Sequence, residues 1–257
     1  MKPTTIKNIL LSFLIFFVTI IAFSPLLDTL SYDHHNKAFE RSLATFAIAK
    51  GLNGIISVLQ GTQIQGSVVF ASATFTVGEI LDPLNDLIER FSWVMLASTV
   101  ALGIEKLLID LGSAFGLKII IATLASLTLV TLWLDKLSFV RYWVGRIFAV
   151  FLILRLAMPL LEGTNIMLYT HYTEPMYTKA TASLQLASNE LKTMKNDLTH
   201  KELSFFEKLQ ERFENASKEM ISMMVIFVLH SILLPLLFFW GSIKSILFLL
   251  RGKTSYI

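Results

Sequence analysis

Apolar residues gather into four long stretches, Ile9–Leu27, Ile119–Leu134, Ile147–Leu161 and Met220–Trp240, set apart by two long polar segments. A hydrocarbon core of about 30 Å needs roughly 20 helical residues at about 1.5 Å each. The first and last stretches meet that length directly. Leu117 and Lys118 extend the second, and Tyr142 and Trp143 extend the third with rings suited to a membrane interface. The pattern predicts an all-α integral membrane protein with four transmembrane helices. The first stretch follows Lys2 and Lys7, is long for the apolar part of a signal peptide, and has no Ala-x-Ala near its end. Residues 1–30 are therefore read as an uncleaved signal anchor, 119–161 as a transmembrane hairpin, and 220–257 as the fourth span with a basic tail.

Basic residues assign the faces. Lys2 and Lys7 precede the first span, Lys136, Arg141 and Arg146 lie between the second and third, and Lys244, Arg251 and Lys253 follow the fourth. Four crossings put all three groups on one side, which the positive-inside rule makes cytoplasmic, with both termini there. The long segments then lie outside: 28–118 carries six basic against nine acidic residues, and 162–219 carries seven against nine. Phe91–Ile104 has no charge, but a crossing there would move the 136–146 connector outside. It is expected to pack on protein or to enter the outer leaflet only partway.

In the second outer segment, Thr178 to Glu219 lacks Pro and Gly, and its apolar residues Leu184, Ala187, Leu191, Met194 and Leu198 recur in steps of three and four. That spacing predicts a long coiled-coil-like helix. Beyond Lys201 the stripe continues through Phe205, Leu209, Phe213, Ala216 and Met220 with a shift in register. A wholly helical rod of that length would extend about 60 Å. Its stripe either packs on the chain's own outer helices or pairs with another copy or another membrane protein; Leu184, Leu191, Leu198, Phe205, Leu209 and Phe213 are the candidate partner contacts.

The first outer segment, 31–118, opens with a helix over Ser31–Gln60. Gln60–Gly78, with Gly61, Gly66 and Gly78 among Val68, Val69, Phe70, Phe75 and Val77, predicts a small β-prone insert. Asp82 followed by Pro83 predicts a helix start, and Gly112 its stop.

Candidate chemistry is sparse. In Asp33-His34-His35 the side chains have metal-ligand chemistry, and His171 and Glu174 would supplement them if the outer segments met. Adjacent histidines diverge on a helix, so the cluster is read as a solvated helix start, with no metal or other cofactor. Arg155 and His230 are ionisable groups inside apolar stretches and so face protein or water. Arg155 lies close enough to the outer end of its span to snorkel toward Glu162 or headgroups, and His230 precedes Pro235, which should kink the fourth helix. Lys106 and Asp110 have the spacing of a solvated i, i+4 pair.

Composition narrows the classes further. Hydrophobic residues make up 54% of the 257 positions and charged residues 16%, which is too apolar for a soluble domain. The net charge of +3 comes from scattered residues, so no nucleic-acid surface is indicated. Without cysteine there is no disulfide, thiolate ligand or thiol nucleophile. No Gly-x-Ser-x-Gly elbow, P-loop, dinucleotide fingerprint or His-Glu-x-x-His occurs. The expectation is a non-enzymatic scaffold, sensory or regulatory protein of a bacterial inner membrane. The alternative is a channel or transporter component built by oligomerisation, with His230, Pro235 and Arg155 along its path.

Overall fold

The computed structural model describes residues 3–65, 71–196 and 203–251. They are almost entirely helical, without a strand among them. Eight α-helices follow one another: α1 (Pro3–Phe23), α2 (Pro25–Gln65), α3 (Ala71–Ser113), α4 (Phe115–Trp133), α5 (Ser138–Leu168), α6 (Glu174–Asn196), α7 (Leu203–Val228) and α8 (Leu234–Arg251). A single 3-10 turn, Asp135–Leu137, links α4 to α5, and π-helical segments join α5 to α6 (Tyr169–Thr173) and α7 to α8 (Leu229–Leu233).

Proline sets several of these boundaries. Pro25 sits at the first position of α2, where its missing N–H costs nothing, and α1 stops just before Ser24. Each π segment ends two residues before a proline, Pro175 in one case and Pro235 in the other. A proline ring clashes with the carbonyl four residues back, here those of His171 and Ser231, and the wider π turn relieves that clash without ending the helix. Pro83 and Pro159 lie inside α3 and α5.

Two compact units divide the chain: residues 1–36, 103–166 and 234–257 form the first, and 37–102 and 167–233 the second. Among the described residues, four helical stretches are long and apolar enough to cross a membrane, Thr5–Phe23, Phe115–Trp133, Phe139–Glu190 and Glu214–Arg251. In the first unit, α1 packs on α4 around Ile15, Ile121, Ala125 and Phe148, while Ile109, Met158 and Leu161 form a second core with Tyr32, Leu234 and Phe238 beside it. Most of α1 faces outward: only 11% of its apolar window is buried, and Phe13, Phe16 and Phe17 are exposed. Outward greasy surface of this extent suits lipid and is rare on a soluble monomer. Hydroxyls on α4 are satisfied locally, Thr123, Ser126 and Thr128 each donating to the carbonyl four residues back.

Contacts within the first unit bring the basic groups to one end. Asn8 Nδ2 donates to the Leu132 carbonyl (3.3 Å), which joins the start of α1 to the end of α4. Arg146 donates to the Leu250 carbonyl (3.5 Å) and stacks on Tyr142, while Lys244 stacks on Trp240. Lys2 and Lys253 lie outside the described residues.

The second unit packs α2, α3, α6 and α7 around Leu52, Ile56, Ile88, Phe91, Met95, Leu184, Met220 and Met223. Three expectations change here. The single rod over 178–219 is instead two helices, α6 and α7, packed side by side, with Lys179 Nζ 2.8 Å from a Glu219 oxygen. The part of its stripe nearest the two helices' shared end, Leu184, Ala187, Ala216 and Met220, is buried in one core on its own chain, which offsets the cost of ending one helix and starting another. The β-prone insert is helical where it is described: 60–65 close α2 and 71–78 open α3, with 66–70 outside the described residues. Adjacent helix propagates into both ends of a stretch whose β preference is weak and context-dependent. Asp82–Pro83 is likewise no helix start, because α3 begins at Ala71 and carries Pro83 in its interior; its end at Ser113 agrees with Gly112 as a stop signal. Phe91–Ile104 forms part of α3, with Phe91 and Met95 in the core of the second unit and Trp93 and Val100 exposed.

Candidate functional site

The chemistry concentrates on two polar rungs in the first unit. Residues seven apart lie nearly above one another on a helix, and α2 and α5 each carry one such pair: Asp28 and His35 on α2, Arg155 and Glu162 on α5. The pairs meet in register. Arg155, 2% exposed, makes an ion pair with Asp28 and donates through Nε to the Ala22 carbonyl at 3.0 Å. Lys118 at the start of α4 reaches the other Asp28 oxygen at 2.7 Å. Arg155 therefore does not snorkel to headgroups or pair with Glu162: its guanidinium is held inside by a carboxylate and a carbonyl. A cation desolvated to this degree is stable only with such a partner.

One heptad along, His35 Nδ1 lies 2.8 Å from Glu162 Oε1, and both side chains are buried. His34 Nε2 stands 4.0 Å from the second Glu162 oxygen. From α3, Glu105 projects into the same place, so that one ligand atom each from His35, Glu105 and Glu162 lies within 4.8 Å of the other two. Glu105 is 3% exposed, and neither of its carboxylate oxygens has a hydrogen-bond partner. Burial, reinforced by the negative charge of Glu162, pushes its carboxyl up to about 9. An imidazole and two carboxylates at this spacing can share a proton or hold a cation.

The expected residues are dispersed differently. Asp33 is exposed, and His171 and Glu174 belong to the second unit, where His171 Nδ1 faces the Met167 carbonyl at 3.0 Å. The set that assembles keeps His35 and draws its carboxylates from α3 and α5. Asp110 is also not a solvated partner for Lys106 here; it accepts a hydrogen bond from Tyr32. His230 lies in the second unit, where its Nε2 is 3.2 Å from Thr173 Oγ1 and its ring meets the edge of Tyr169, which in turn lies under the Arg41 guanidinium. The two π segments thus meet through Thr173 and His230. Pro235 is buried at the start of α8.

Of the candidate partner contacts, Leu184 is fully buried in the core of the second unit. It is occupied by its own chain and is not a surface for another. Leu198 lies outside the described residues; Leu191 is carried on α6, and Phe205, Leu209 and Phe213 on α7.

Sequence reasoning missed Asp28, Glu105 and Glu162 as site residues. The usable signal was the matched seven-residue spacing of complementary groups on two helices. Comparison with known families, curated proteins and solved structures finds no match to this chain.

Proposed function

We propose that the chain is a four-span membrane protein of the bacterial inner membrane, with both termini cytoplasmic, that works without catalysis as a sensory or regulatory component. The carrying observation is Glu105: a carboxylate buried beside Glu162, in the unit that gathers most of the apolar helix surface, is costly to maintain for scaffolding alone. Protonation or cation binding gives such a group two states, which is what a responsive element requires. The orientation is supported by the Asn8–Leu132 and Arg146–Leu250 contacts, which join the basic connector to the chain's two end helices.

The test uses the cysteine-free sequence, in which any introduced thiol is unique. In intact spheroplasts an impermeant maleimide should label Arg90→Cys, while Lys136→Cys and Arg251→Cys should react only after permeabilisation. Opposite accessibility of the last two positions overturns the four-span arrangement.

A second reading, a channel or transporter component, gains from the same carboxylates. It requires cation flux in proteoliposomes that Glu105→Gln reduces. The absence of flux leaves the sensory reading alone.

A further inference from the structure

We propose that His35, Glu105 and Glu162 form a binding site for one divalent first-row transition-metal ion. The proposal rests on the preceding section only in taking this cluster as the responsive element.

Three observations carry it. The donor set comes from three helices that converge: α2 supplies an imidazole, α3 and α5 a carboxylate each. The donors are spaced for a common ion. At metal–ligand distances of about 2.0–2.2 Å, ligand atoms in one coordination sphere stand about 3–3.5 Å apart. The His35–Glu162 separation of 2.8 Å is already close to that, and the 4.8 Å bound on the set leaves Glu105 within a side-chain rotation. Finally, Glu105 brings one carboxyl oxygen into the cluster, and neither of its buried oxygens has a hydrogen-bond partner, an arrangement that a bound cation resolves.

Charge and donor type name the class of ion. With the Glu105 proton released on binding, the two buried carboxylates are balanced by a +2 ion. Calcium takes six to eight oxygen ligands and magnesium demands nearly octahedral oxygen coordination, whereas an imidazole beside carboxylates suits zinc, manganese or ferrous iron. The donor set holds no sulfur to select cuprous copper. Three protein ligands leave at least one coordination position for water or an exogenous group. His34 Nε2, 4.0 Å from the second oxygen of Glu162, lies beyond hydrogen-bond distance and outside the donor set.

The experiment takes the full chain in mild detergent, stripped with a chelator, and titrates it with Co2+, whose visible absorption reports coordination. One equivalent per chain should bind with an absorption band that Zn2+ abolishes, because zinc binds such sites more tightly than cobalt. Glu105→Gln, which keeps shape and removes charge, should weaken binding at least about tenfold while leaving helix content unchanged. His35→Asn should shift the band. Sub-stoichiometric binding by the wild-type chain, or binding by Glu105→Gln as tight as by wild type, overturns the site. The maleimide pattern is independent of metal, so either conclusion can fail alone.

Discussion

Replacing Asp28 by Asn is the sharpest test of how the first unit holds together. The change keeps the side-chain volume and removes the one negative charge that both Arg155 and Lys118 contact. Breaking a buried ion pair from one side leaves an uncompensated charge and costs about 3–5 kcal/mol. Asp28 and Lys118 retain 15% and 19% exposure, so water recovers part of this loss. Arg155 at 2% recovers almost none, which places the expected cost near the lower end, about 3 kcal/mol. For a chain of this size each kcal/mol moves the midpoint by about 2–4 °C, so thermal unfolding in detergent should begin about 6–12 °C lower. Adding Arg155→Gln to Asp28→Asn should restore much of the loss, since the stranded guanidinium is gone. A midpoint unchanged within about 0.5 kcal/mol, or a double variant whose loss is the sum of the two singles, would refute the account of Asp28 as the counter-charge.

The second unit supplies three more tests. Leu184→Ala should lower the unfolding midpoint by the equivalent of about 2–5 kcal/mol and leave chemical crosslinking between copies unchanged, whereas Leu191 and Leu198 changed together to Glu should dissolve any oligomer; unaltered crosslinks in the pair variant end the assembly role of that stripe. His230→Leu should cost about 0.5–1.5 kcal/mol by removing one of the two contacts of Thr173 Oγ1, which also donates to the Tyr169 carbonyl; a midpoint equal to that of the unchanged chain means the hydrogen bond is not what joins the two π segments.

What could be read from residue order tracks how local each cause is. The four apolar stretches were visible because lipid demands length and greasiness together, and α4, Phe115–Trp133, matches its expected span closely. The 178–219 stripe was visible as a stripe. Periodicity reports that a face is apolar and is silent on what covers it, so the register shift near Lys201 read as a stutter within one rod where the chain has two helices, one ending at Asn196 and the next starting at Leu203. Glu105 was the hardest to see. Its neighbours Lys106 and Asp110 make it look like part of a solvated charge run, and only the approach of α2 and α5 reveals that it faces inward. Asp28 lay just beyond the end of an apolar run and His35 within a histidine pair, so neither announced a partner more than a hundred residues away.

The matched rungs on α2 and α5 also fix how these two helices can slip past each other. A slide by two turns in one direction would set Asp28 against Glu162, like against like, and in the other would bring His35 up to Arg155. Each displaced alignment strands the other two side chains opposite no complement. The same four side chains that make the interior polar therefore admit a single axial alignment of α2 on α5, which smooth apolar surfaces between helices would leave open.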